Sequence, residues 1–144
     1  MQTYPKAMQS HSHCMVCSDP KFNPHSLNLR FQLDAEGWTN SQFSVTAQHQ
    51  SYHGLLHGGM TSTLLDAAMT HCLLMRGIKA LTAELSVRFI APIRVGTTVT
   101  VQAKLLSQKR GFYRLEAFIC QGSQQLARAS AKFIQASDAL LTND

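Results

Sequence analysis

The sequence predicts an α+β domain in which one long apolar helix is covered by a curved antiparallel sheet. The stretch from Gly58 to about Arg76 is apolar or small on nearly every face, and the segments around it alternate apolar and polar residues. Two alternating segments precede the helix and four follow it. A single sheet wrapped on such a helix leaves an edge strand and part of the helix uncovered. We therefore expect at least a homodimer.

The gross composition is that of one globular domain. With 144 residues, of which 44% are hydrophobic, the chain is long enough to bury a core. We assign 1–26 to an irregular N-terminal lead-in, 27–136 to the domain and 137–144 to a C-terminal tail. No apolar run approaches the roughly 18 residues that a transmembrane helix needs. The N-terminal residues lack a signal-peptide core, so we expect a cytoplasmic protein without a membrane partner.

The formal net charge of +5 comes from basic residues spread over the presumptive strands. The pattern suits a solvated sheet face, or the attraction of a polyanionic ligand such as one that carries a nucleotide. Because no recognised nucleic-acid module or basic-aromatic cluster occurs, we expect no nucleic-acid partner.

The strands are bounded by turn residues. Before the helix, alternation predicts strands over 27–33 and 43–47, and after it over 83–89, 99–105, 113–119 and 127–133. Gly77 stands where a glycine ends a helix. Strict alternation places Ala83 with Leu85 on one face and Glu84 with Arg88 on the other. Inward alanines in the last strand would let the helix lie close to the sheet.

The pair Cys14-x-x-Cys17, preceded by His11 and His13, has the form of half a zinc site. No second pair follows to complete it, and four ligands within seven residues would strain tetrahedral coordination. We therefore predict an ordered N-terminal turn and no metal.

Asp66 is the only formally charged side chain between the helix start and Arg76. A carboxylate inside an apolar helix must be desolvated, paired or used in chemistry, since burial of a lone charge is costly. His71 lies five residues on, about 140° away around the helix axis, so the two side chains do not share a face. We predict that His71 is a core histidine whose hydrogen bonds are satisfied. The glycines at the helix start give a substrate access to backbone N–H groups at its positive end.

Together these features resemble the hotdog-fold thioesterases of the PaaI (phenylacetate-pathway) type, over about residues 14–134. The motifs that carry the resemblance are Cys14-x-x-Cys17 with Asn23-Pro24-His25-Ser26-Leu27, Gly54-Leu55-Leu56-His57-Gly58-Gly59 with Leu65-Asp66, and Thr82-x-Glu84-Leu85-x-Val87 with Pro92 and Gly96. The resemblance implies hydrolysis of an acyl-coenzyme A thioester to a free acid and coenzyme A. Coenzyme A is then part of the substrate, and no cofactor is expected. It also implies a homodimer or a homotetramer.

The resemblance further implies roles for individual residues. The backbone N–H of Gly58 would bind the carbonyl oxygen, with Gly59 beside it, and Asp66 would act as general base or nucleophile across the dimer interface. Thr82 corresponds to a hydroxyl that helps to hold the attacking water. His57 joins the catalytic set; we favour a loop-orienting hydrogen bond for it over a reacting imidazole.

One position departs from the family pattern. Many relatives carry an asparagine six residues before the histidine, where this chain has Ser51. Gln48 or Gln50 are candidates to replace it, so all three are predicted to contact substrate.

Two other functions remain open at this point. A non-catalytic acyl-CoA binder would keep the helix and the glycines but would not depend on the Asp66 carboxylate. A hotdog hydratase or dehydratase would need a histidine and an acid that converge on the substrate, and His57 with Asp66 or Glu84 is the only candidate pair.

Overall fold

The computed structural model describes residues 3–141, and in that range it has two helices and one six-stranded antiparallel sheet. The helices are α1 (Thr3–Met8) and α2 (Gly58–Leu74), with short 3₁₀ turns at Gln9–His11 and Ala47–His49. The strands are β1 (Gln32–Leu33), β2 (Thr39–Ser44), β3 (Ala80–Phe89), β4 (Thr98–Lys109), β5 (Phe112–Gln121) and β6 (Gln124–Gln135). Their spatial order is β1-β2-β4-β5-β6-β3, so β3 forms a long edge. Within the described range, no helix combines the length and the hydropathy needed to cross a bilayer.

The core lies between α2 and one face of the sheet. Leu64, Leu65 and Met69 of α2 are fully buried, and each large aliphatic side chain buried in this way contributes about 1.5–3 kcal/mol. Their counterparts on the sheet, also fully buried, are Val101, Leu115, Ile119 and Phe133. The inward alanines of β6 are buried as well, at Ala127, Ala129 and Ala131. The prediction of a buried apolar helix packed on a sheet whose last strand turns alanines inward is confirmed.

The helix ends slightly earlier than predicted, at Leu74 rather than Arg76. Gly77 adopts the left-handed conformation, with φ of +75°. The N–H of Ile78 donates to the carbonyl of Leu73, and the N–H of Gly77 donates to that of Leu74. This pair of bonds is a Schellman cap, which requires a residue with positive φ.

The segment before the helix differs from the prediction. The strand expected over 27–33 is reduced to Gln32–Leu33, because the N–H groups of Leu27 and Leu29 donate to the carbonyls of Met15 and Val16. These residues pair with the N-terminal segment instead of extending the sheet. The strand expected over 43–47 covers Thr39–Ser44, so it starts four residues earlier.

The lead-in assigned to 1–26 is not wholly irregular, since α1 lies within it. Of this segment, residues 1–2 lie outside the described residues, as do 142–144 of the tail. The α1 helix is ordered by contact with the core: the hydroxyl of Tyr4 lies 2.7 Å from Nδ1 of His71 on α2. An isolated helix of this length is not stable in water, and local pattern therefore gives no sign of it.

Candidate active site

The start of α2 leaves one backbone donor available. His57 is the N-cap residue, with φ −60° and ψ 133°, and its Nδ1 accepts a hydrogen bond of 2.8 Å from the N–H of Gly59. Its carbonyl accepts bonds from the N–H groups of Met60 and Thr61. The N–H of Gly58, in contrast, has no acceptor among residues 3–141. A donor at the positive end of a helix is suited to bind a carbonyl oxygen that gains negative charge.

Gly58 borders an apolar cavity of about 360 Å³. The cavity is lined by Ser51, Tyr52, Leu55, Leu56, Gly58, Thr61, Phe89, Ile90, Ala91, Pro92, Ile93, Leu126 and Ala127. A Cβ atom built on Gly58 would lie 3.5 Å from the ring of Phe89, which is ordinary contact. The cavity therefore offers an apolar chain a place beside the free N–H of Gly58.

Asp66 lies two turns further along α2 and is half-buried. Its Oδ1 accepts a hydrogen bond of 2.5 Å from the hydroxyl of Thr82 on β3. Burial raises the pKa of Asp66 above its ordinary value of 3.8, and the bond from Thr82 opposes that rise. The single salt bridge within residues 3–141 joins Lys79 to Asp138, so no cation neutralises Asp66 there. A desolvated carboxylate without a counter-ion is a good proton acceptor.

A β-bulge brings Thr82 to Asp66. The pairing of β3 with β6 shifts between Thr82 and Glu84, so that Thr82 lies opposite Phe133 and Glu84 opposite Lys132. Phe133 is an inward residue of β6, and Thr82 consequently faces α2. The prediction that Ala83 shares the inner face with Leu85 is wrong, because the bulge places it outside the regular pairing and it is exposed.

The other predicted substrate contacts are dispersed. Ser51 lies in the cavity beside Gly58. Gln50 is engaged in its own loop, where its Oε1 accepts a bond of 3.0 Å from the N–H of Gly54. Gln48 borders a different cavity, with Phe43. Gly59 is beside the site, but its N–H is held by His57 as described above. Within one chain, the structure thus brings together Ser51 with Gly58, and Thr82 with Asp66.

Gly58 and Asp66 are well separated along α2 within a single chain. Eight residues of α-helix correspond to a rise of about 12 Å, which is too far for one thioester carbonyl and its attacking water to contact both groups. Phe89, at the end of β3, is 59% exposed beside Gly58. Leu81 and Ile90, at the two ends of the same edge, are each 48% exposed. Apolar exposure of this extent along an unpaired edge is typical of an interface.

His71 lies away from Asp66, as predicted. Its ring is 1% exposed and stacks on Phe31 with the centroids 4.3 Å apart. Burial lowers the pKa of His71 to about 4, so the ring is neutral at pH 7. The prediction that His71 lies in the core is confirmed, but the prediction that its hydrogen bonds are satisfied is wrong, because Nε2 has no partner within residues 3–141.

Comparison with known proteins identifies the fold and the family. A profile of the Thioesterase superfamily matches residues 53–127, which is just over half of the chain. Acyl-coenzyme A thioesterase 13 of Mus musculus is 30% identical over 69 residues, which is 46% of this chain and 49% of that protein. Acyl-coenzyme A thioesterase PaaI of Escherichia coli is 30% identical over 83 residues, 56% of this chain and 59% of that protein. The chain spans about half the length of the curated relatives that it matches.

Solved structures agree on the fold. The PaaI protein from the phenylacetic acid degradation operon of E. coli superposes with a TM-score of 0.75 and 23% identity, covering 92% of this chain and 95% of that one. A hypothetical thioesterase of Streptococcus pneumoniae, solved with coenzyme A, superposes with a TM-score of 0.70 and 18% identity, covering 76% and 90%. The chain has the hotdog fold and belongs to the Thioesterase superfamily.

Proposed function

We propose that this protein hydrolyses an acyl-coenzyme A thioester, with Asp66 as general base and the Gly58 N–H as oxyanion donor. The observation that carries the proposal is the Asp66 carboxylate itself. It is held by Thr82, has a raised pKa and has no basic partner in the described chain. Relatives that bear the name acyl-coenzyme A thioesterase, and a structural neighbour solved with coenzyme A, support the choice of substrate.

The chemistry follows from the two groups. Oδ1 of Asp66 is occupied by Thr82, so the other carboxylate oxygen is left to take a proton from water. The resulting hydroxide adds to the thioester carbonyl, whose oxygen becomes negative and binds the N–H of Gly58. Collapse of the tetrahedral intermediate breaks the C–S bond. The proton on Asp66 then passes to the departing thiolate, which gives the free acid and coenzyme A.

The site is assembled from two subunits in this proposal. Because Gly58 and Asp66 are about 12 Å apart along one helix, each must meet its counterpart from a second copy. Pairing of two β3 edges would cover the exposed side chains of Leu81, Phe89 and Ile90 and satisfy the open backbone groups. An antiparallel arrangement of the two α2 helices would then bring the Gly58 end of one close to Asp66 of the other.

The two histidines give the hydratase alternative no support. The Nδ1 of His57 caps α2, and His71 is enclosed by Tyr4 and Phe31 on a face that does not include Asp66. The binder alternative is left to experiment, because it predicts the same fold.

The test is release of free thiol from a panel of short, long and aromatic acyl-CoA esters. Wild type is assayed beside Asp66→Asn, with Glu84→Gln as a matched control, since Glu84 is an exposed acid of the same strand as Thr82. Turnover that is lost in Asp66→Asn and kept in Glu84→Gln supports the proposal. Binding of acyl-CoA without turnover by any member of the panel would identify a binder instead.

The role of Asp66 as base or nucleophile is tested by one further measurement. A single turnover in H₂¹⁸O incorporates the heavy isotope directly into the product acid when Asp66 is a base. A nucleophilic Asp66 would form a mixed anhydride and release the thiolate. When water then attacks the aspartyl carbonyl, an oxygen of Asp66 leaves in the first product acid and the heavy isotope stays on Asp66.

A further inference from the structure

A second cluster of reactive side chains lies in the N-terminal turn. One ligand atom from each of His11, Cys14 and Cys17 lies within 4.8 Å of the others, and both cysteines are free thiols. Nδ1 of His11 is 3.5 Å from Sγ of Cys17. Backbone bonds fix the turn: the N–H of Cys14 donates to the carbonyl of His11, and the N–H of Ser18 to that of Cys14. The hydrolytic mechanism uses none of these groups.

The cluster borders a buried nitrogen that lacks a partner. His71 of α2 is 1% exposed, and its ring lies edge-on to that of His11 with the centroids 5.9 Å apart. Its Nδ1 is bonded to the hydroxyl of Tyr4, but its Nε2 has no hydrogen-bond partner within residues 3–141. A buried polar atom left unpaired costs about 1–3 kcal/mol, so a native structure normally supplies a partner.

We propose that His11, Cys14, Cys17 and His71 bind one Zn²⁺ ion. The ligand atoms of the first three already lie within 4.8 Å of one another, whereas His71 lies outside that group and joins it when the metal draws the turn against α2. Two cysteines and two histidines are a common donor set of structural zinc, and the soft sulfur donors select against Mg²⁺ and Ca²⁺. The objection raised by the sequence, that four ligands within seven residues would be strained, does not apply. Three ligands come from the turn, and the fourth comes from the core helix.

The surroundings of His71 are those of a metal-binding histidine. Such a ring usually donates its second N–H to an oxygen, which fixes the tautomer and the ring orientation. Here the hydroxyl oxygen of Tyr4, at 2.7 Å from Nδ1, can accept that bond and leave the lone pair on Nε2 for the metal. His13 has a different environment: it is exposed and lies against Phe22, with the ring centroids 5.6 Å apart. It therefore serves as a control rather than a ligand.

The proposed ion has a structural role. His71 lies about 140° around α2 from Asp66, so the metal is on the face opposite the proposed base. It would tie the N-terminal turn to the core helix, where that turn also pairs through Met15 and Val16 with the segment that precedes β1. Free energy of metal binding to the folded protein adds to the stability of the fold.

The test uses the 144-residue chain without a polyhistidine tag, purified under reducing conditions and without chelators. Elemental analysis is expected to find one zinc per chain, and chelation to lower the melting temperature. Titration of the metal-free protein with Co²⁺ is expected to give the sulfur-to-cobalt charge-transfer band and the intense d–d bands of tetrahedral coordination. Metal-free protein that gives neither signal, or in which Cys14 and Cys17 have joined in a disulfide, overturns the proposal.

Four variants assign the ligands. Cys14→Ser should weaken Co²⁺ binding and reduce the charge-transfer band, and His13→Gln should change neither. His71→Phe keeps an aromatic ring on Phe31 and removes the unpaired nitrogen, so it should fold but lose tight tetrahedral binding. Tyr4→Phe should weaken binding by about 10–100-fold, as loss of a supporting partner of a metal ligand does. Unchanged tetrahedral binding in His71→Phe would contradict the assignment of the fourth ligand.

Discussion

Replacement of Asp66 by Asn separates the proposed chemistry from the fold. The amide has nearly the same shape as the carboxylate, and its oxygen can still accept the hydrogen bond from Thr82. It cannot take a proton from water. Loss of a positioned general base lowers the rate by about 10²–10⁴-fold, which corresponds to about 2.7–5.5 kcal/mol of transition-state stabilisation. In the thiol-release assay we expect kcat of Asp66→Asn to be at least about 10²-fold below that of wild type.

The same substitution should not destabilise the protein at neutral pH. Burial raises the folded-state pKa of Asp66 above 3.8, so folding favours the protonated carboxyl. The associated stability is fully present below the unfolded pKa and is lost as the pH rises through the folded pKa. At pH 7 the ionised carboxylate is therefore a net cost that the Asn variant avoids. The melting temperature of Asp66→Asn at pH 7 should equal or exceed that of wild type.

The pH dependence follows from the same shift. A general base must be ionised, so wild-type kcat should decrease as the pH is lowered through an apparent pKa above 3.8. This decrease at acid pH should be absent from the residual activity of Asp66→Asn. Glu84→Gln should retain both the rate and the decrease at acid pH. Asp66→Asn activity within tenfold of wild type, or a much lower melting temperature at pH 7, would refute the reasoning.

Three further substitutions test separate parts of the account. Thr82→Val removes a hydrogen bond to Asp66 worth about 1 kcal/mol, so it should lower kcat about fivefold and raise the pKa of Asp66. Thr82→Ser, which keeps the hydroxyl, should restore both. An unchanged pH–rate profile in Thr82→Val would argue against this contact. Gly58→Pro removes the N–H donor at a helix position that tolerates proline and should lower kcat by about 10²–10³-fold. The control Gly58→Ala keeps the donor, and its Cβ makes ordinary contact with Phe89, so it should retain far more activity. Equal rates in the two variants would exclude the proposed oxyanion contact. Gly77→Ala places a side chain at φ +75° and should lower the free energy of unfolding, measured by urea denaturation, by about 1–2 kcal/mol. Its thioesterase activity should be unchanged. Wild-type stability in this variant would mean that the helix cap does not need a glycine.

Much of the fold was predictable because its signals are local. An apolar helix without a polar face must be buried, and the strands after it alternate with a period of two. Leu27 and Leu29 show where this reasoning stops. Their alternation is that of a strand, yet their N–H groups donate to the carbonyls of Met15 and Val16. The sequence of the segment does not indicate which backbone it will pair with.

The site was predictable residue by residue but not in its geometry. The local context of Asp66 and Gly58 suggested their chemistry, because a lone acid and a glycine-rich helix start are visible in the sequence. The contact of Thr82 with Asp66 depends on a bulge between Thr82 and Glu84, and strict alternation would have turned Thr82 outward. The partner of His71 was also hidden, since Tyr4 lies 67 residues away on a helix that only the core stabilises.

The central claim is that each site takes Gly58 from one subunit and Asp66 from the other. Mixing two inactive proteins, Gly58→Pro and Asp66→Asn, under conditions that exchange subunits tests it directly. A mixed dimer contains one site with both native groups and one site with neither. Random exchange of equal amounts should therefore restore about a quarter of wild-type activity, given a two-fold symmetric dimer. Activity that stays at the level of the separate variants, although mass spectrometry shows mixed dimers, would contradict a shared site.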